Sequence, residues 1–152
     1  MTWLLAISIL IGVLATAEDL YRRRISNKTA AGAFLLGLAA QTLLYGWKGA
    51  GNSLGGTFVG FIVFLIFFLM GGMGGGDIKL MAGFGAVLGA GQTLMAALLT
   101  AMVGGLMAMT YLLVRKLRKK QGADTAVWKG AAEAITYAPA ITLGVLLSFA
   151  AR

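Results

Sequence analysis

The chain has 152 residues, 59% of them hydrophobic and 12% charged, with a net charge of +8 and a mean hydropathy of +0.87. That apolar share exceeds what the core of a soluble domain requires and predicts an all-α, polytopic membrane protein. Zero cysteine and zero histidine exclude thiolate nucleophiles, Ser-His-Asp triads and the usual haem and zinc ligand sets.

A helix crossing about 30 Å of hydrocarbon needs roughly 20 residues, and the chain offers six apolar stretches. The first, Thr2 to Ala17, ends in small residues that imitate a signal-peptide cleavage site. No basic residue precedes it, however, and Arg22-Arg23-Arg24 follows directly as a cytoplasmic anchor, so it is read as a span. Thr29 to Trp47 and Leu54 to Met73 are the second and third spans. A glycine-rich segment leads into a short fourth, Ile78 to Gly89. The apolar run then continues past Gly89, Gly91 and Gln92, where a tight turn is expected because glycine permits unusual backbone angles. Thr93 to Val114 is the fifth span, Arg115 to Glu133 the longest polar loop, and Ala134 to Ala151 the sixth span. The whole of 1–152 is expected to form one transmembrane domain.

Charge orients these spans, because Lys and Arg near span ends collect on the cytoplasmic side. Of the 13 Lys and Arg residues, only Lys48 and Arg152 fall on the face that also carries both termini, which is therefore expected to be external. The basic loops, among them Arg115 to Lys120, are read as anchors on anionic headgroups of the lipid bilayer. Basic character is thus a consequence of topology, and no nucleic-acid partner is expected.

The acids are Glu18, Asp19, Asp77, Asp124 and Glu133. Ser8, Ser26, Ser53 and Ser148 could supply a serine–lysine pair with Lys28, Lys48 or Lys79, but no spacing favours one. Asp77 closes a Gly74-Gly75-Gly76-Asp77 string at the end of a phenylalanine-rich run, and a carboxylate in a span is costly enough to need a partner or a job. Loop parity puts Asp19, at the end of span one, on the same side as Asp77, at the start of span four. Two apposed carboxyl groups cannot both bear charge at short range, so one can take a proton from water while the other donates to a carbonyl oxygen. Gly74 and Gly76 would let a peptide backbone approach. Bland readings compete: Asp77 as a helix N-cap, and Asp19 as an interfacial acid paired with Arg22 or Arg23. Glu18 points about 100° away from Asp19 on a helix and is the weaker catalytic choice. Asp124 and Glu133 are read as solvated.

The phenylalanines at 58, 61, 64, 67 and 68 are read as lipid-facing or packing residues, and the scattered methionines as ordinary packing. Gly56 and Gly60 form a close-approach pair, and Gly83, Gly85, Gly104 and Gly105 are expected to allow tight packing in spans four and five.

Two acidic segments together resemble the type IV prepilin peptidases. Asp19-Leu20-Tyr21-Arg22-Arg23-Arg24-Ile25-Ser26-Asn27 is similar to their first aspartate motif, and Gly72-Met73-Gly74-Gly75-Gly76-Asp77-Ile78-Lys79-Leu80-Met81 to their second. Tyr137-Ala138-Pro139-Ala140-Ile141 also resembles the family. Ser26 stands where a proline is common after the isoleucine.

The resemblance implies a G-x-G-D aspartic endopeptidase that removes the basic leader of a type IV pilin-like precursor at the cytoplasmic membrane face. Asp19 and Asp77 would be catalytic; Ile25, Asn27, Gly74, Gly76 and Lys79 would support them, and Tyr137 and Pro139 would shape the entrance. It implies no cofactor and no metal. The compact length looks like the members that serve tight-adherence (Flp-type) pili. Larger relatives carry a cysteine-bearing zinc region and an N-methyltransferase activity, neither of which is expected here. A presenilin-like intramembrane protease is the enzymatic alternative, and a proton-coupled transporter or assembly scaffold the non-enzymatic one. The sequence fixes no oligomeric state.

Overall fold

A computed structural model of the chain describes residues 2–70, 73–119 and 137–151. Its regular structure is all helical: α1 (Thr2–Arg22), α2 (Asn27–Leu69), α3 (Gly75–Leu88), α4 (Ala90–Lys119) and α5 (Ala138–Ala150). The α1 and α2 helices and the Ala90–Met107 part of α4 are long and apolar enough to cross a membrane. At 14 and 13 residues, α3 and α5 fall short of that length, so three helices qualify by length, and expected spans four and six do not.

Spans two and three lie within the single element α2, 43 residues long. The helical path breaks inside it at Gly46, whose φ of 62° and ψ of −145° belong to backbone space that suits glycine. Beyond the break, Gly49 is so close to the Gln41 carbonyl that it has no room for a Cβ. Residues eight apart in a straight helix are separated by about 12 Å, so the chain doubles back here. The polar stretch after Trp47, expected as a loop, is helical instead.

Both arms of this hairpin flank α3. On the first arm, a Cβ on Gly83 would meet the Ala33 Cβ at 2.8 Å, and one on Gly37 would meet the Ala86 backbone at 2.6 Å. On the second arm, Gly60 abuts the Met81 carbonyl, while Gly56 and Gly85 press backbone to backbone. The first arm therefore runs with α3 and the second against it. These contacts bear out the close-approach reading of Gly56, Gly60, Gly83 and Gly85. At α4 that reading needs correction: a Cβ on Gly104 would make only ordinary contact with Tyr137 at 3.5 Å, and Gly105 faces open space.

The short α3 is the central helix. Leu80, Met81, Phe84 and Val87 are buried against Ile11 and Ala15 of α1, Phe64 of α2 and Ile141 of α5. Its C-terminal carbonyls lack intrahelical partners, and Gln41 Nε2 supplies one by donating to Val87 O at 2.8 Å. The turn expected between spans four and five is Gly89 alone, at φ 79°. Asn52 covers it, and its Oδ1 accepts the Ala90 N–H at 3.2 Å. Phe58, Phe61 and Phe68 face outward, as a lipid-facing stripe should, whereas Phe64 is buried and meets Phe67 edge to face at 6.3 Å.

Candidate functional site

The site forms where α1 ends, α2 and α3 begin, and α5 enters. The last turn of α1 carries Glu18 and Asp19. The chain leaves that helix through Arg23, whose N–H donates to Asp19 O at 2.8 Å and whose φ of 50° is the only positive one among the described non-glycine residues. It re-enters helix at Ser26, the N-cap of α2, whose hydroxyl accepts the Thr29 N–H at 3.2 Å. The Glu18 carboxylate reaches across this turn and accepts from both Ser26 N–H, at 3.2 Å, and the Thr29 hydroxyl. Arg22 exerts its charge on Glu18.

Asp77 belongs to the first turn of α3. The helix begins at Gly75, earlier than expected, with Gly74 as N-cap. Asp77 is therefore not the N-cap itself but the third helical residue, and its Oδ2 accepts the Gly74 N–H at 3.1 Å. A carboxylate at this position satisfies an otherwise unpaired donor and faces the positive end of the helix dipole. The capping reading of Asp77 is thus realised through one of its two oxygens. Gly76 lies against the α1–α2 turn, where an added Cβ would sit 3.2 Å from the Ile25 Cβ. Gly74 has no such constraint, since its nearest contact would be Asp77 Oδ2 at 3.5 Å.

Asp19 takes its partner from the far end of the sequence. Its Oδ2 accepts the Ala138 N–H at 3.3 Å, the first N–H of α5, with Pro139 setting the opening turn of that helix. Tyr137 is the residue at the N-cap and lies beside Gly104. The pairing of Asp19 with Arg22 or Arg23 does not form: among the described residues Asp19 makes no ion pair, and its side chain is turned inward.

Asp19 and Asp77 are each only 7% exposed. Helices α1 and α3 pack directly on each other. Two helix N-termini, of α3 and α5, each present one N–H to one of the two buried acids. At the same end, Lys79 Nζ donates to Asn27 Oδ1 at 2.9 Å, tying α3 to the start of α2. The structure therefore gathers Asp19, Ile25, Asn27, Gly74, Gly76, Asp77, Lys79, Tyr137 and Pro139 at one end of the bundle. The serine alternatives are engaged differently. Ser26 caps α2 and Ser148 donates to Val145 O at 2.7 Å, while the buried hydroxyls of Ser8 and Ser53 find no hydrogen-bond partner among the described residues.

Among the described residues, no cluster of three or more Asp and Glu side chains is placed to hold a metal ion. Gly71, Gly72, Asp124, Glu133 and most of the basic loop before span six lie outside the described residues. Sequence reasoning missed the Ala138 N–H and the tether made by Glu18. The first is a backbone group with no sequence signature, and the second depends on the fold of a four-residue turn.

A model of the type IV leader peptidase family matches residues 4–109, a stretch that includes both aspartates and the glycine string but ends before Tyr137. No curated protein and no solved structure matches the chain.

Proposed function

The chain belongs to the type IV leader peptidase family, and on that premise we propose that it is an aspartic endopeptidase of the cytoplasmic membrane, cleaving the leader from Flp-type pilin-like precursors. The observation that supports this reading is that Asp19 and Asp77, both buried and carried on helices that pack on each other, are each anchored through one oxygen to a helix N-terminus. Fixing one oxygen of each carboxyl leaves the other to hold a water molecule. One carboxylate takes a proton from that water as it attacks the scissile carbonyl, while the protonated partner donates its proton to the carbonyl oxygen; on collapse of the tetrahedral intermediate the first carboxyl passes the water-derived proton to the leaving amine and the second recovers its own from the hydroxyl. The backbone N–H groups limit rotation of both carboxyls, which preserves the geometry the attack requires.

In this reading all six segments cross the bilayer, the catalytic end faces the cytoplasm, and the apolar part of the precursor lies beside the helices. The leader junction then meets the aspartates at the boundary, passing Tyr137 and Pro139. With no cysteine in these 152 residues, the zinc region of larger relatives has no ligands here, so the proposal ends at peptide hydrolysis.

The test uses Asp19→Asn and Asp77→Asn separately, with membrane levels matched to wild type and a co-expressed precursor carrying its leader. Each is expected to abolish leader removal, because neither amide can exchange the required proton. Full cleavage by either variant would sink the paired-carboxyl mechanism, and a cut inside the precursor's apolar segment would favour the presenilin-like alternative.

A further inference from the structure

Ser26 occupies the position at which the resembling family commonly has proline, and its N–H, which proline would lack, is bonded to Glu18. Its backbone, at φ −73° and ψ 150°, is nonetheless the one a proline adopts. The turn containing Ser26 also includes Arg23 at φ 50°, a conformation a side chain disfavours, so something must hold it. Glu18 reaches both sides of the turn's exit: the Ser26 N–H, and the hydroxyl of Thr29 in the first turn of α2. Immediately before the first of these anchors sits Ile25, whose Cβ lies against Gly76, next to Asp77.

From this chain of contacts we propose that Glu18 is a positioning residue. Its carboxylate fixes the α1–α2 turn by hydrogen bonding, where a proline would fix it by ring constraint, and through Ile25 it holds the glycine turn that carries Asp77. Glu18 does not touch the reacting atoms. The assignment rests on the peptidase reading for its kinetic consequence, but the contact itself can be measured without activity.

The chain has no cysteine, so the pair Ile25→Cys and Gly76→Cys reports how the turn is seated. The Cβ positions are close enough for a disulfide to form with a small adjustment, since bridged Cβ atoms usually lie about 3.5–4.5 Å apart. Oxidative cross-linking of this pair in membranes is expected to be efficient with Glu18 present and reduced several-fold by Glu18→Ala. In the cysteine-free chain, Glu18→Ala is expected to lower kcat roughly tenfold, the loss from a misplaced catalytic group, with KM nearly unchanged. Glu18→Gln keeps an acceptor and should retain most activity, and Thr29→Val, which removes a single donor, should fall between. The decisive measurement is Glu18→Ala combined with Ser26→Pro, in which the ring replaces the lost tether and restores both cross-linking and kcat. Unchanged cross-linking in Glu18→Ala, or failure of the proline to restore it, overturns the assignment. If cross-linking responds as described while Asp19→Asn still cleaves, the positioning contact stands and the peptidase mechanism falls.

Discussion

At Gly76 a hydrogen stands where any other residue would bring a Cβ to 3.2 Å from the Ile25 Cβ, inside the optimal carbon–carbon separation of about 3.5–4.0 Å. Gly74, two residues earlier, has an ordinary φ of −82° and room for a methyl group. Alanine at the two positions should therefore behave differently. Gly76→Ala is expected to cost about 1 kcal/mol of stability through overpacking, or roughly 2–4 °C in midpoint for a chain of this size. Gly74→Ala should leave the midpoint unchanged, so any loss of cleavage there would report on approach of the substrate backbone. Thermal unfolding in detergent checks the first pair of values, and equal midpoints would refute the contact. That Asp19 and Asp77 would lie toward the same end of the bundle was legible from the positions of their two motifs relative to the apolar stretches. Their partners were not, since Gly74 and Ala138 act through backbone N–H groups that every residue but proline possesses. Glu18 was read correctly as turned away from Asp19, yet the pattern held no sign of where it turned instead.

Helix α3 is held on two sides by glycine contacts of different severity, and the severity predicts which substitutions the fold tolerates. Gly56 and Gly85 meet through backbone atoms, which cannot rotate aside as a side chain can. Gly56→Ala or Gly85→Ala should force α2 and α3 apart and lower stability by about 1–3 kcal/mol or more. Gly51→Ala and Gly91→Ala meet nothing within 4 Å and serve as matched controls. Denaturant titration of the purified protein in micelles should separate the two pairs, and a common midpoint would show that α2 and α3 do not meet this way. Spacing revealed the Gly56–Gly60 pair because a four-residue interval places both on one helix face. It misjudged Gly105 because spacing does not say whether that face meets a helix or the surroundings. The turn at Gly89 was legible from its glycine in a run too long for one span. The continuity of α2 was not, because Lys48 to Ser53 has the glycine and polar composition of a loop. That composition instead suits a helix start whose Gly49 closes on the Gln41 carbonyl, where a small residue lets the arms meet.

Across the whole molecule, length and charge make opposing statements about α3, and an accessibility experiment decides between them. Its 14 residues span about 21 Å at 1.5 Å each, less than the roughly 30 Å of a hydrocarbon core. Yet its two ends lie in different settings. One carries Asp77 and Lys79 beside Asn27, and the other meets Gln41, Asn52 and the start of α4. Exposed aromatics mark the same two levels, with Tyr21 at the aspartate end and Trp3 and Trp47 at the other, as side chains at opposite interfaces would. A short helix can connect these levels because its neighbours, rather than lipid, surround it and satisfy its terminal carbonyls. Single cysteines at Lys28, Lys48 and Gly91, each in the otherwise cysteine-free chain, test this directly with a membrane-impermeant maleimide. All three lie outside the site contacts, and Lys28, Lys48 and Gly91 are exposed. Lys28→Cys should label only in inverted vesicles, whereas Lys48→Cys and Gly91→Cys should label only in intact spheroplasts. Labelling of Gly91→Cys and Lys28→Cys from the same side would mean that α3 is a re-entrant segment and that both aspartates approach the substrate from a different leaflet. Labelling of Gly91→Cys with Lys48→Cys, opposite Lys28→Cys, makes α3 a true crossing and sets both carboxylates at the face where basic residues gather.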